Sequence, residues 1–374
     1  MRNAYALLGT YPPTKCGVAR FSAALLAHLR EPGDLVEVVR VLDEPSRCRA
    51  PEVVHDLVQK SASSAAAAAA VLNGYDVVLV QHEYGIYGGP DGEDIVGLLA
   101  ALRVPAVVVL HTVLARPTAR QRRILKEVID AASAVVTMTQ TARERLLQVY
   151  ATDPGKIFVI PHGSPDHRTA AASSDDNREP AALTWGLLGP GKGVEYVIDA
   201  IALLRDRGVS VTYTIAGQTH PRVQERDGEA YRRCLAERAL AHGVGDLIRF
   251  DSRFLPTDAL ATLIGATDVV VLPYDSSEQV TSGVLIEAVA AGKPVVSTSF
   301  PHAVELLGDG AGILVRRGDP AGIADALMRV LTEPGLSARM SRRAAEIAPG
   351  LLWPAVADSY RKLMAGVISK GVRV

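Results

Sequence analysis

Little in the chain commits it to a metal, a nucleic acid or a membrane. Its 374 residues hold three cysteines, Cys16, Cys48 and Cys234, none in Cys-x-x-Cys spacing. That excludes a metal knuckle and points to a reducing, cytoplasmic compartment. Lys and Arg number 40 against 41 Asp and Glu, a net charge of −1, so no basic field recommends a nucleic-acid partner. No stretch approaches the roughly 20 apolar residues of a membrane span. The start, MRNAYALLGTYPP, offers too short an apolar run for a signal-peptide core. The run Ala65 to Ala70 in SASSAAAAAAVL reads as a helix surface.

What the chain does have is length, apolar content and punctuation. At 374 residues with 48 % hydrophobic residues, 32 Gly and 22 Pro, it exceeds one ordinary core and predicts two domains rich in turns. Short apolar runs alternate with helical patterns. Ala4 to Gly9, Leu35 to Leu42, Asp76 to Val80, Ala106 to Leu110, Ala134 to Met138 and Ile157 to Ile160 read as strands. Between them, a pattern that follows Gly17 and runs through Leu29, and the stretches Glu52 to Val71, Glu93 to Leu102, Arg120 to Ala132 and Thr141 to Tyr150, read as helices. Strands this apolar are parallel and covered on both faces, which predicts a doubly wound α/β domain over residues 1–165. The composition then turns to DHRTAAASSDDNREP, an expected linker over 166–180. The same alternation restarts, giving a second doubly wound domain over 181–345 and a terminal arm over 346–374 with Trp353 and Tyr360. Two such domains would face a central cleft and present their functional loops at the carboxyl ends of the strands.

The most informative stretch runs from Asp275 to Ser299, DSSEQVTSGVLIEAVAAGKPVVSTS. Thr281-Ser282-Gly283 is a tight turn opening an amphipathic segment that breaks at Gly292 and re-enters a strand at Val295. A glycine-bearing turn at a helix start exposes unpaired backbone N–H groups at the positive end of the dipole, a ready phosphate site. One turn on, Glu287 can reach a sugar hydroxyl of the phosphate's carrier. Lys192, in the strand-to-helix loop Gly189-Pro190-Gly191-Lys192-Gly193, offers a mobile ammonium to a diphosphate; the alternative is a solvated loop lysine. The loop is no P-loop, because Gly193 follows the lysine. Gly17 would let backbone approach a diphosphate or simply serve a turn. His111 ends a buried strand. His82, Glu83 and Tyr84 follow the neighbouring one, where acceptor contact and a structural role are both open. His162, in Pro161-His162-Gly163, reads as a structural turn.

Several motifs in order, TYPPTKCGVARF, VQHEYG, LHTVL, VIPHGSPD, LLGPGKGVEYVIDAI, YTIAGQTHP, VTSGVLIEAVAAGKPVVST and LLWPAVADSY, resemble the nucleotide-sugar glycosyltransferases of family 4. The resemblance spans nearly the whole chain. It implies a GT-B fold of two Rossmann-like domains and retaining transfer of a hexose from a nucleoside diphosphate sugar. It also implies no metal and no cofactor beyond that co-substrate. The acceptor would be a sugar, a lipid-linked compound or another small molecule, bound mainly in the first domain. Donor contacts are implied for Gly17, Lys192, Arg253, Gln279, Thr281, Ser282, Gly283, Val284 and Glu287, with His111, Lys192 and Gln279 catalytic and His111 against the donor sugar. Two departures stand out. The family's arginine five residues before the lysine is Leu187 here, leaving Arg253 or Arg20 to supply the charge. The first of the family's two glutamates falls on Gln279, unless a one-residue shift brings in Glu278. Trp353 is expected to pack the arm onto the first domain. The cluster Arg116, Arg120, Arg122, Arg123 and Lys126 suggests either peripheral contact with an anionic membrane or, since Glu127 and Asp130 interrupt it, a solvated face. A GT-B phosphorylase or epimerase, and a non-catalytic sugar-nucleotide-binding protein, are the other readings.

Overall fold

The computed structural model describes residues 3–46, 48–168 and 178–371. It divides into two compact units, Met1–Gly163 with Trp353–Val374, and Ser164–Leu352. Each is a parallel sheet with helices. Unit 1 runs β1 (Ala4–Gly9), α1 (Gly17–Leu29), β2 (Leu35–Leu42), β3 (Val53–Val58), α2 (Ala62–Leu72), β4 (Val77–His82), α3 (Asp94–Ala100), β5 (Ala106–Leu110), α4 (Ala119–Ala131), β6 (Ala134–Thr137), α5 (Gln140–Tyr150) and β7 (Ile157–Val159). Its sheet order is β3-β2-β1-β4-β5-β6-β7. Unit 2 runs β8 (Ala181–Trp185), α6 (Val194–Asp206), β9 (Thr212–Ala216), α7 (Pro221–Asp227), α8 (Ala230–Ala241), β10 (Ile248–Asp251), α9 (Thr257–Gly265), β11 (Val269–Leu272), α10 (Gly283–Ala290), β12 (Val295–Thr298), α11 (Pro301–Leu307), β13 (Gly312–Val315), α12 (Pro320–Thr332) and α13 (Leu336–Ile347). Its order is β10-β9-β8-β11-β12-β13. In each sheet the strand order reverses beside the first strand, at β1/β4 and β8/β11, where a doubly wound sheet opens to ligands.

The unbroken apolar strands are what this arrangement requires. Val77 to Val80 and Val107 to Leu110 are each at most 1 % exposed, and each such side chain contributes roughly 1.5–3 kcal/mol of burial. Helix starts carry the expected caps. The Thr118 hydroxyl accepts from Gln121 N and the Gln121 amide oxygen accepts from Thr118 N, a reciprocal pair that fixes the entry to α4.

One expected helix is overturned. Glu52 to Val71 is a strand followed by a helix, because Val53 to Val58 is β-branched-rich and pairs with β2, and Ser61 caps a separate α2. Arg40, fully buried on β2, donates to the Asp56 carboxylate of β3 at 2.9 Å and holds that edge. Helices α7, α11 and α13 and strand β13 have no counterpart in the sequence-based expectation. Because α13 belongs to unit 2, the segment that returns to unit 1 begins at Trp353 rather than at 346. It forms α14 (Trp353–Gly371), whose Trp353, Val356, Tyr360 and Met364 share a core with Phe21 and Leu25 of α1. Of the expected linker, 169–177 lies outside the described residues.

Candidate functional site

In unit 2 the loops after β8 and β11 are tied together. Gly193 caps α6 at φ 69°, and a Cβ there would run into the carbonyl of Pro273, so only glycine fits. Asp275 N donates to the Gly191 carbonyl at 3.0 Å. This places Lys192 with its Nζ 4.4 Å from the centre of the buried Tyr274 ring, a cation held against a π face. Burial lowers the Lys192 pKa, and among the described residues no carboxylate or other hydrogen-bond acceptor pairs with its ammonium. His220, which caps α7 by accepting from Arg222 N, is lowered by burial first and then by the charges of Arg222 and Lys192.

The start of α10 is more occupied than expected. Ser282 caps the helix, its hydroxyl accepting from Leu285 N at 3.2 Å, but its own backbone N–H donates to Nδ1 of buried His302 at 2.9 Å. Of the donors expected to receive a phosphate, Ser282 N is therefore spent, while Gly283 N and Val284 N are uncommitted among the described residues. Thr281 Oγ1 is buried without a hydrogen-bond partner. Gln279 donates through Nε2 to Thr281 O at 3.2 Å, which leaves its Oε1 as an acceptor. Glu278 and Gln279 both donate backbone N–H groups to Ser276 Oγ. Glu287 Oε2 accepts from Trp185 Nε1 at 2.9 Å. Arg253 is committed elsewhere: its guanidinium forks onto Asp251 at 2.6 and 2.9 Å at the end of β10, and its side chain is 75 % exposed. It is therefore a neutralised surface pair and a poor substitute for the arginine missing at Leu187.

In unit 1, His111 follows β5. Its Nε2 lies 2.8 Å from Gln81 Oε1 and its ring meets Phe21 edge-on at 4.9 Å. Burial, with help from His162 and His82, pushes its pKa down to about 3, so the ring is neutral. With Oε1 as the acceptor, the proton sits on Nε2 and Nδ1 carries the lone pair. His82 is buried on β4, lowered by burial to about 4, with Nδ1 unpartnered; its ring lies 5.3 Å from Tyr84. Glu83 accepts from the Thr112 hydroxyl at 2.5 Å and from Tyr84 N at 2.9 Å, which ties the ends of β4 and β5 together. Gly17, first in α1 after the Cys16 cap, has an ordinary φ and open space where a Cβ would lie. The fold itself does not demand glycine there.

The basic cluster is largely answered by its own acids. Arg123 pairs with Glu127 and Glu93, and Lys126 with Asp130, while Arg122 donates to the Val149 carbonyl. That matches a solvated face. Among the described residues no helix is long and apolar enough to cross a membrane, and no group of three His, Cys, Asp or Glu could hold a metal ion.

Two family models match adjoining stretches of the chain, Glycosyltransferase Family 4 over residues 16–168 and Glycosyl transferases group 1 over 168–347. The chain belongs to glycosyltransferase family 4. Its two parallel-sheet units are the two Rossmann-like domains of the family's GT-B fold. It is similar to D-inositol 3-phosphate glycosyltransferases of Streptomyces bingchenggensis, 31 % identical over 310 residues and covering 72 % of this chain and 65 % of that protein. The Streptomyces avermitilis protein is 29 % identical over 302 residues, covering 72 % and 63 %. The matched stretch thus spans slightly under two thirds of these relatives. Among solved structures, Anabaena HepE in complex with UDP and glucose superposes with a TM-score of 0.75 at 18 % identity, over 97 % of this chain and 99 % of that one. A glycosyltransferase from Rickettsia africae gives 0.78 at 14 %, over 98 % and 99 %.

Sequence reasoning missed Trp185, Tyr274, His302 and Gln81. Trp185 and Tyr274 carried a signal, since each stands at or just past the end of an apolar strand next to a singled-out loop. Nothing near His302 marks it as the partner of Ser282.

Proposed function

We propose that this glycosyltransferase moves a hexose, with retention, from a nucleoside diphosphate sugar to a hydroxyl of a small acceptor, and that it needs no metal ion. The observation that carries the reading is Lys192: a half-buried ammonium, lowered by burial and without an anionic partner among the described residues, in a loop built on a glycine that nothing else can replace. A diphosphate is the ligand that would offset its desolvation. Gly283 N and Val284 N would donate to the same anion at the positive end of α10. Gln279 Oε1 would accept from donor-sugar hydroxyls, and Glu287, oriented by Trp185, would accept from the ribose.

In such a reaction the bond between the anomeric carbon and the diphosphate oxygen breaks while the acceptor oxygen bonds to the same face, and the acceptor proton passes to the departing phosphate. Lys192 and the two N–H groups stabilise the charge that develops on that leaving group. The neutral His111, its proton held on Nε2 by Gln81, presents the Nδ1 lone pair to a sugar hydroxyl. Tyr84 is the remaining acceptor-side candidate, since His82 is buried within the sheet, whereas Glu83 acts by holding Thr112. The UDP and UDP-glucose complexes of HepE make UDP-glucose the first donor to try.

The test is transfer from UDP-glucose and other sugar nucleotides to an acceptor panel, with and without EDTA, the product's anomeric configuration being read by proton NMR. An inverted product, activity abolished by EDTA, or nucleoside diphosphate release that never depends on an acceptor would overturn the corresponding part of the proposal.

A further inference from the structure

Unit 1 contains a cavity of about 590 Å³ to which the sequence assigns no purpose. It opens where β3 passes into α2 and where the loop after β4 passes into α3. Val41 and Leu57 of the sheet form its floor. One wall is α2, contributing Ala62 and Ala65, and the other is α3, contributing Gly97 and Leu98. A Cβ on Gly97 would meet nothing within 4 Å. The hollow is open to solvent, with Ala62 and Gly97 exposed and Ala65 half-buried, because the two helices facing each other across it present methyl groups and bare backbone where larger side chains would close it over. The alanine run of α2, featureless as sequence, makes room.

The mouth differs from the interior. Lys60, held at φ 58° in the left-handed region that a residue with a side chain seldom adopts, and Asp94, at the first position of α3, both line it. Among the described residues neither the Lys60 ammonium nor the Asp94 carboxylate has a hydrogen-bond or ion-pair partner. An aliphatic interior of this size with a few polar groups at the rim is the make-up of a small-molecule site, and it stands at the carboxyl ends of parallel strands, where such sheets take ligands.

We propose that this cavity binds the acceptor, and that the acceptor is amphipathic: an apolar tail fills the space between α2 and α3 while a hydroxylated head meets Asp94 and Lys60. The word acceptor rests on the transferase reading above; the binding of an apolar tail does not. The test is calorimetric titration of the whole chain, without sugar nucleotide, with methyl, butyl and octyl β-D-glucoside below the micellar concentration. Affinity should rise at least tenfold from methyl to octyl. Gly97→Leu and Ala65→Leu, which place a side chain in the hollow and suit a helix, should erase that dependence while keeping the thermal midpoint of the parent. No dependence on chain length in the parent, or a dependence that both variants retain, overturns the proposal. Failure of transfer from any sugar nucleotide, with chain-length dependence intact, would instead count against the transferase reading alone.

Discussion

Trp185 Nε1 and Glu287 Oε2 stand 2.9 Å apart, a hydrogen bond between the end of β8 and the first turn and a half of α10 across 102 residues of sequence. The indole is buried and can donate to one oxygen only, so it leaves Glu287 Oε1 for a ligand and fixes the carboxylate's plane. Trp185→Phe keeps the ring and removes the donor. It should raise the donor KM about tenfold, the worth of one hydrogen bond to a charged group, with kcat within about twofold of the parent. Glu287→Ala should act in the same direction and more strongly. Steady-state kinetics in both substrates checks this; a loss confined to kcat would contradict it.

Lys192→Ala removes a charge that rests on the Tyr274 ring and has no anionic partner among the described residues. Stability should be unchanged or slightly higher, because the desolvation of an unpaired ammonium disappears with it. Turnover should fall about 100-fold in kcat/KM through both terms, since the same charge serves bound donor and leaving group. Differential scanning fluorimetry beside kinetics separates the two effects. A variant that melts early and turns over normally would remove Lys192 from the site.

His82 and His111 make acid stability testable. Their folded pKa values, about 4 and about 3, lie below the ordinary 6.5. Below pH 6.5 the unfolded chain therefore binds protons that the folded chain refuses, and stability is lost as pH falls from about 6.5 toward 4. Two such groups give a slope of roughly 2.7 kcal/mol per pH unit in that window. His82→Gln should remove about half of it. Urea unfolding at pH 7, 6, 5 and 4.5 measures the slope, and a flat profile above pH 5 would show that the two imidazoles titrate normally.

At the turn before α10 the question is which neighbour does the work. Gln279 is anchored by its Nε2 to Thr281 O and keeps Oε1 free to accept. Gln279→Ala should then cost about 100-fold in kcat/KM, while Gln279→Glu, which keeps the acceptor, and Glu278→Ala should each cost less than about tenfold. The reverse order would mean that Glu278 fills the family's first glutamate position.

How far the molecule could be read in advance follows from where its signals lie. Strands such as Val77–His82 and Ala106–Leu110 were legible because burial on both faces forces unbroken apolar runs. The segment from Glu52 to Val71 was misread because Ser61, the cap that starts α2, lies among small residues that suit a helix anyway, and because the Arg40–Asp56 pair that marks β3 as a strand joins residues on different elements. Within the site, Lys192 and Gly283 announce themselves through local glycine patterns. The Ser282–His302 and Gln81–His111 bonds are long-range, and each withdraws or fixes a donor that local pattern leaves open. Sequence shows which groups exist at the strand ends, and tertiary contacts decide which are still available.

The core of unit 1 brings Phe21 of α1 within 5.2 Å of Trp353 and within 4.9 Å of His111. Trp353 leaves the ribosome only after all of Ser164–Leu352. Domains generally mature in the order of synthesis, but here unit 2 has its full sequence while unit 1 still lacks α14. During that interval the faces of Phe21 and Leu25 that α14 will cover are open to water. The first unit thus completes its core only after the whole of unit 2 has been made, and the Phe21 ring that packs on His111 is covered by Trp353 at that late point.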